Sequence, residues 1–191
     1  MISFVAFLAL VGTAAAFTSN VKTISRNHHV VNVFAGGLPG SEGPELKTFD
    51  PLKFSENSPE WVPWFRESEL KHGRIAMLAT LGWIFADFVK LPGEVHQVSS
   101  LEAHNVAVQS GALIQILFWT SLIEILTIPA LKNLGKDGRA PGDYSFDPLG
   151  FGKGDRKKLE INELKNGRLA MLAFSGIVTQ AALTGKGFPY F

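Results

Sequence analysis

Apolar residues gather in three long stretches of the chain, separated by segments rich in glycine, proline and charge. The pattern predicts helices over about 64–90, 105–131 and 159–184. The first has no proline after its opening turn and meets Pro92-Gly93 as a stop signal. From Glu69 to Val89 an α-helix would rise roughly 30 Å, about one bilayer core. Its N-terminal third is charged (Arg66, Glu67, Glu69, Lys71, Arg74) and the remainder is not, apart from Asp87 near the far end. The middle stretch holds a single formal charge, Glu124, and two glutamines, Gln109 and Gln115, before Pro129 is expected to end it. The third is closed by Gly185-Lys186-Gly187. No run reaches roughly 18 apolar residues without a charge or an amide, so a soluble helical bundle competes with a membrane reading. The polar residues are few and regularly placed, which favours three membrane-spanning helices.

The first and third helices open on the same words. Glu69-Leu70-Lys71-His72-Gly73-Arg74-Ile75-Ala76-Met77-Leu78-Ala79 returns as Glu163-Leu164-Lys165-Asn166-Gly167-Arg168-Leu169-Ala170-Met171-Leu172-Ala173, at a constant offset of 94 residues (Glu69 to Glu163). Only His72/Asn166 and Ile75/Leu169 differ. Each copy follows a loop that contains Phe-Asp-Pro-Leu, at 49–52 and 146–149. Loop and helix therefore repeat together, with an unrelated helix between them. The implied architecture is an all-α membrane protein of three transmembrane helices. The first and third form a pseudo-symmetric crossed pair in one orientation, and the middle helix runs the opposite way.

Glu69 and Arg74 are five residues apart, which puts them on different faces of one helix. Pairing across the repeat solves this, Glu69 with Arg168 and Glu163 with Arg74. Such Glu–Arg ion pairs cancel charge and lock the crossing. In a low-dielectric setting a formed pair is tolerable and a broken one costly. Gly73 and Gly167 fall at matching positions and allow close backbone approach.

Other segments set the context. Residues 1–16 are a short apolar run ending in small residues, the pattern of a signal peptide with an Ala-x-Ala-type junction before Phe17. As a first membrane helix the run would be too short to span comfortably. Residues 17–35 carry Ser, Thr, Lys and Arg and no acid, the composition of a plastid transit segment; a flexible N-terminus is the alternative. His28 and His29 are adjacent and share no helix face. Glu60-Trp61-Val62-Pro63-Trp64-Phe65 suits a membrane-surface aromatic belt, against which stands an ordinary aromatic core cluster. Residues 36–191 are left as the functional domain.

Composition narrows the chemistry. The chain has 191 residues, is 46% hydrophobic and 18% charged, and carries a net charge of +1; mean hydropathy is +0.16. No basic field or basic–aromatic run points to nucleic acid. Cysteine is absent, which excludes disulfides, thiolate metal sites and thiol catalysis. There is no Gly-x-Ser-x-Gly elbow and no phosphate-binding glycine loop, so no enzyme is expected.

Salt bridges alone leave His72, Asn166, Gln115, Glu124 and Gln180 unexplained. Each lies in or beside a membrane helix, where an unpaired polar side chain is expensive. Glu69 and His72 share a face, as do Glu163 and Asn166. All offer nitrogen or oxygen and none sulfur, which suits a hard or borderline cation. A protein-only metal cage needs its donors to converge. Porphyrin-like rings holding Mg²⁺ need one axial donor each, and the scatter here fits several separate rings.

The two motif copies, their spacing, both Phe-Asp-Pro-Leu loops and Gln180 together closely resemble the light-harvesting chlorophyll-binding antenna family, over about residues 45–187. The resemblance implies chlorophylls and carotenoids held for excitation transfer in a three-helix, multi-pass protein of the plastid (chloroplast) thylakoid membrane. It implies Glu69 and Glu163 as chlorophyll-Mg ligands neutralised by Arg168 and Arg74. His72, Asn166 and Gln180 would each ligate a further chlorophyll, and Gln115 and Glu124 would do so on the middle helix, with His104 a weaker candidate. Asp50-Pro51 and Asp147-Pro148 would hold the ends of two crossed carotenoids through backbone and water contacts. The compact loops, the two-part leader and the Gln-bearing middle helix are similar to the fucoxanthin, chlorophyll a/c branch of red-lineage algae. That branch implies chlorophyll a, chlorophyll c and fucoxanthin or a related carotenoid. The implied partners are thylakoid lipids, neighbouring antenna subunits and a photosystem I or II core. The chain ends soon after the third helix, at Gly187-Phe188-Pro189-Tyr190-Phe191, leaving little room for a further amphipathic helix with a late ligand.

Two other functions compete. A photoprotective member of the same family would dissipate excitation on nearly the same scaffold; Asp87, Glu94 and Glu102 lie on the side opposite the motif arginines. A carboxylate-bridged di-iron bundle uses Glu-x-x-His on two helices, and Glu69-x-x-His72 matches half of that pattern. The second copy has Asn166 in place of histidine.

Overall fold

The computed structural model describes residues 37–40, 49–134, 139–148, 150, 152 and 154–190, which belong to one compact unit. The leader expected over 1–16 and 17–35 lies outside the described residues, as do His28, His29 and Leu149. Among the described residues every regular element is helical. A short α1 (Phe54–Asn57) and a 3-10 turn (Pro59–Trp61) lead into the 27-residue α2 (Val62–Phe88). A 3-10 turn (Glu94–His96) precedes α3 (Ser100–Gln109), followed by α4 (Ala112–Lys132) and the 29-residue α5 (Arg156–Thr184).

Local chemistry explains the boundaries. Pro63 sits in the first turn of α2, where a missing N–H costs nothing, so the helix begins at Val62 rather than 64. Asp155 caps α5 by accepting from the Lys158 N–H at 3.2 Å, which starts that helix at Arg156 rather than 159. Gly185, at φ 66°, closes it in the left-handed conformation.

The middle helix departs most from expectation. The single span predicted over 105–131 is two helices, broken at Ser110-Gly111, with Gly111 at φ 76°. The glycine takes a backbone conformation other residues resist, and the chain turns there. Pro129 does not end α4, which continues to Lys132. Near the last turn a proline removes one backbone donor without halting the coil. Among the described residues, α4 is the one helix long and apolar enough to cross a membrane by length and composition. The motif charges keep α2 and α5 from meeting that criterion.

The helices α2 and α5 run in the same direction and cross at the glycines. A Cβ built on Gly73 would lie 3.0 Å from the Gly167 Cα, and one on Gly167 would lie 3.0 Å from the Gly73 Cα. Gly73, Ala76, Gly167 and Ala170 are all buried at this crossing. Small residues let the backbones touch, as in tightly packed membrane helices. Further along, Trp83 meets Phe174 edge-on at 6.1 Å between ring centroids. At the far end Asp87 gathers three segments. It accepts from the Ser100 N–H and hydroxyl at 2.8 and 2.6 Å and from the Phe188 N–H at 2.8 Å.

The pseudo-symmetry extends to the outward faces. Ile75 and Leu169 are 64% and 66% exposed, and Leu78 and Leu172 are both 73% exposed. No residue of α4 is buried, and Ile114, Phe118, Trp119, Ile123 and Leu126 all stand outward. Apolar surface of this extent is not that of an isolated protein in water.

Candidate functional site

Each repeat copy supplies half of a cross-brace. Arg74 donates from Nε to Glu163 Oε1 at 2.6 Å, and Arg168 donates from Nε to Glu69 Oε1 at 2.7 Å. Each guanidinium also reaches a loop carbonyl: Arg74 Nη2 donates to Gly142 O at 3.0 Å, and Arg168 Nη1 to Gly40 O at 3.1 Å. The loop preceding α2 therefore serves the arginine of α5, and the loop preceding α5 serves the arginine of α2. Both glycines belong to a Pro-Gly pair, Pro39-Gly40 and Pro141-Gly142, at φ 106° and 80°. Each rests on the motif leucine of the helix it serves. A Cβ on Gly40 would fall 2.0 Å from Leu164 Cδ2, and one on Gly142 would fall 2.5 Å from Leu70 Cδ1. This repeated Pro-Gly turn was legible as a dipeptide upstream of each Phe-Asp-Pro-Leu.

One side of the pair carries an addition that sequence reasoning missed. Glu67 is only 1% exposed. It accepts from the Gly142 N–H at 2.5 Å, from the Tyr144 hydroxyl in a short hydrogen bond, and from Arg139 Nη2 at 3.3 Å. Arg139 lies over the Tyr144 ring, 4.8 Å from its centroid, and also donates to Ala130 O at the end of α4. The repeat counterpart of Glu67 is Ile161. That position lies before the matching run, where Arg66/Glu160 and Ser68/Asn162 differ as well, so the repeat gave no signal for Glu67. Burial and the hydrogen bond to Glu67 push the Tyr144 hydroxyl up to about 12.

The single donors are arranged quite differently from the braces. His72, Asn166, Gln180, Gln115 and Glu124 are all exposed on the helix surfaces. Among the described residues no three histidines or carboxylates converge, which is the geometry a di-iron centre would require. His72 Nδ1 is 2.7 Å from the Ser68 carbonyl oxygen. A carbonyl only accepts, so a proton on Nδ1 satisfies this contact, and in the neutral ring that tautomer leaves the Nε2 lone pair available; the Ser68 hydroxyl lies 3.3 Å from the same Nδ1. This is the tautomer that a backbone-oriented metal-ligating histidine adopts. Glu124 Oε2 is 2.5 Å from Lys71 Nζ. His104 is exposed on α3, apart from these.

The two Phe-Asp-Pro-Leu loops are built as turns around their aspartates. Asp50 accepts from the Ser55 hydroxyl at 2.6 Å and from the Ser55 and Phe54 N–H groups at 2.8 and 3.1 Å. The Ser55 hydroxyl and N–H hold the Asp50 carboxyl below the usual carboxylate range. Asp147 accepts from the Gly152 N–H at 2.8 Å. Pro51 and Pro148 are exposed, and Phe49 and Phe146 project outward. Phe146 and Asp147 line a cavity of about 700 Å³ together with Leu70, Arg74, Tyr144 and Leu164. Beside it, hydrogen bonding from Arg156 holds Asp143 below the usual carboxylate range.

The structure is a duplicated helix–loop unit, crossed on glycine, with single nitrogen and oxygen donors exposed on its helices. The chain belongs to the chlorophyll a-b binding protein family, whose profile matches residues 32–182. It is 36% identical to a fucoxanthin-chlorophyll a-c binding protein of Chattonella marina var. antiqua, over 93% of this chain and 86% of that protein. A fucoxanthin-chlorophyll a-c binding protein of Isochrysis galbana is 31% identical, with 93% and 89% covered. Light-harvesting complex stress-related protein 1 of Chlamydomonas reinhardtii is 33% identical, with 78% and 66% covered.

Proposed function

We propose that this protein is a light-harvesting antenna subunit of the plastid thylakoid membrane. In this reading it binds chlorophyll a, chlorophyll c and fucoxanthin or a related carotenoid, and passes excitation to a photosystem. The observation that carries the reading is the set of single nitrogen and oxygen donors exposed on apolar helices, with His72 oriented by the Ser68 carbonyl. Such donors fit magnesium-centred rings, each of which could be held by a single protein side chain. When bound, the pigments supply light absorption and energy transfer; the chain supplies ligands, spacing and rigidity.

Glu69 and Glu163 are ligands whose charge is cancelled by Arg168 and Arg74. His72, Asn166, Gln180 and Gln115 are neutral ligands and need no counter-charge. Asp50-Pro51 and Asp147-Pro148 shape the turns that receive carotenoid ends, the second beside the cavity lined by Phe146. With the arginines paired, α2 and α5 join α4 as spanning helices, their charged ends at one membrane face and their apolar lengths in lipid. Harvesting is favoured over dissipation because the fucoxanthin-chlorophyll relatives match over more of both chains than the stress-related one does.

Reconstitution of the chain with an algal pigment extract tests the reading. Chlorophyll a fluorescence excited through the carotenoid and chlorophyll c bands is the expected result. A folded chain that takes up no chlorophyll would overturn it.

A further inference from the structure

Arg66 is the exception among the arginines of the described residues. Arg74, Arg139, Arg156 and Arg168 each donate at least two hydrogen bonds. Arg66 donates none to a described residue, although its side chain is only 12% exposed. Its ion-pair contact is loose, with Nε 3.5 Å from Glu69 Oε2, and Glu69 is already bonded to Arg168 at 2.7 Å. Arg66 lines the cavity of about 700 Å³ together with Leu38, Leu70, Phe146 and Leu164. The repeat places Glu160 at the equivalent position, on the same cavity. There the carboxylates are engaged: Asp143 and Glu160 share Arg156 at 2.6 and 2.9 Å, and Glu163 has Arg74 at 2.6 Å. At the Arg66 end two guanidiniums face one carboxylate, a local excess of positive charge. A mostly buried guanidinium with unused N–H groups is costly unless oxygen acceptors reach it. Its planar fork matches a pair of anionic oxygens.

We infer that Arg66 makes this cavity a site for the head of an acidic amphiphile, a molecule with anionic oxygens on an apolar body. The head meets Arg66, and the aliphatic and aromatic lining takes the adjoining part of the body. Two sources share this chemistry. One is an acidic membrane lipid, through a phosphodiester or sulfonate. The other is a chlorophyll whose side-chain carboxyl is free rather than esterified. The choice of these two sources rests on the membrane and pigment reading above, whereas the demand for anionic oxygens rests on Arg66.

The test compares wild type, Arg66→Gln and Arg66→Lys, each reconstituted in a neutral detergent with chlorophyll a and carotenoid. Each is then offered ligands in matched pairs: phosphatidylglycerol against a neutral galactolipid, and chlorophyll c against its methyl ester. Molecules retained per polypeptide are counted by mass spectrometry after gel filtration. Wild type should retain about one acidic molecule, with a preference over its neutral match on the order of tenfold, the worth of one charge-assisted hydrogen bond. Arg66→Gln should lose the preference. Arg66→Lys, a charge without the fork, should keep only part of it. A preference confined to the lipid pair supports the site with a headgroup as its ligand; one confined to the chlorophyll pair supports it with a pigment carboxylate. No preference in either pair overturns the inference, as does a preference that Arg66→Gln retains in full. If Arg66→Gln does not assemble, Arg66→Lys decides: a weakened preference supports the inference and an undiminished one overturns it. Chlorophyll a is counted in the same samples. Its absence from wild type overturns the parent reading, whereas full chlorophyll a uptake without an acidic preference overturns this inference alone.

Discussion

Gly73 and Gly167 meet backbone to backbone, and each occupies the space a Cβ on the other would need. The two braces, Glu69–Arg168 and Glu163–Arg74, flank this contact. Alanine at position 73 would push a methyl carbon to 3.0 Å from a backbone atom that cannot swing aside. The helices must separate, and both braces lengthen with them. Gly73→Ala is expected to destabilise the assembled protein by about 1–3 kcal/mol, the usual cost of overpacking. Gly82 and Gly176 have nothing within 4 Å of a built Cβ. Gly82→Ala should be neutral or slightly stabilising, through helix propensity. Thermal unfolding of the two reconstituted variants, followed by visible circular dichroism, checks the contrast.

The braces make a second prediction. Arg168→Leu removes the Nε donor to Glu69 and the Nη1 donor to Gly40. Glu69 is left with Arg66, at 3.5 Å, as its one ion-pair partner among the described residues. The variant should assemble poorly and lose about one chlorophyll. Glu69→Gln/Arg168→Leu should recover part of the yield, because a neutral amide needs no counter-charge. Assembly yield and pigment-to-protein ratio are the measurements; equal content in wild type and Arg168→Leu would refute the pairing role.

Much of this site is legible in the sequence. The 94-residue repeat implied two equivalent helices, and the five-residue gap between Glu69 and Arg74 implied partners across them. Both pairs form as expected. What could not be read was anything whose cause lies in a loop meeting a helix far along the chain. Glu67 looked like one more charge in a polar first turn. Its burial depends on Gly142, Tyr144 and Arg139, which reach it from the loop before α5. The break at Gly111 carried a local signal, the Gln109-Ser110-Gly111 run with its Ser-Gly turn dipeptide, which the apolar residues on either side outweighed. Lys71 was read only as part of a charged stretch, since nothing in local sequence aims it at Glu124.

His72 offers the cleanest single-ligand test. Its ring is oriented by the Ser68 carbonyl and hydroxyl, one turn earlier on the same helix. His72→Leu should remove about one chlorophyll and leave the crossing intact, with little change in unfolding temperature. His72→Asn, which copies the residue at 166, should retain more pigment than His72→Leu. Pigment extraction and chromatography on the purified variants would show this, and an unaltered stoichiometry in His72→Leu would exclude it as a ligand.

The Glu67–Tyr144 contact predicts an alkaline limit on loop stability. Burial, reinforced by the hydrogen bond to Glu67, favours the neutral phenol, so the folded-state value of Tyr144 is raised to about 12 from an unfolded value near 10. A group that is neutral when protonated and whose pKa rises on folding contributes stability below its unfolded pKa. That contribution falls away as pH climbs from about 10 through about 12. Over this window the phenolate would face the Glu67 carboxylate inside a buried cluster. The loop 139–148 should detach from α2, opening the cavity lined by Phe146 and Asp147. Tyr144→Phe lacks the titrating group. It should be less stable than wild type at neutral pH, because Glu67 loses one donor, by about 1–2 kcal/mol. It should also show a flatter decline between pH 10 and 12. Carotenoid circular dichroism across an alkaline titration distinguishes the two proteins, and parallel curves would remove Tyr144 as the cause.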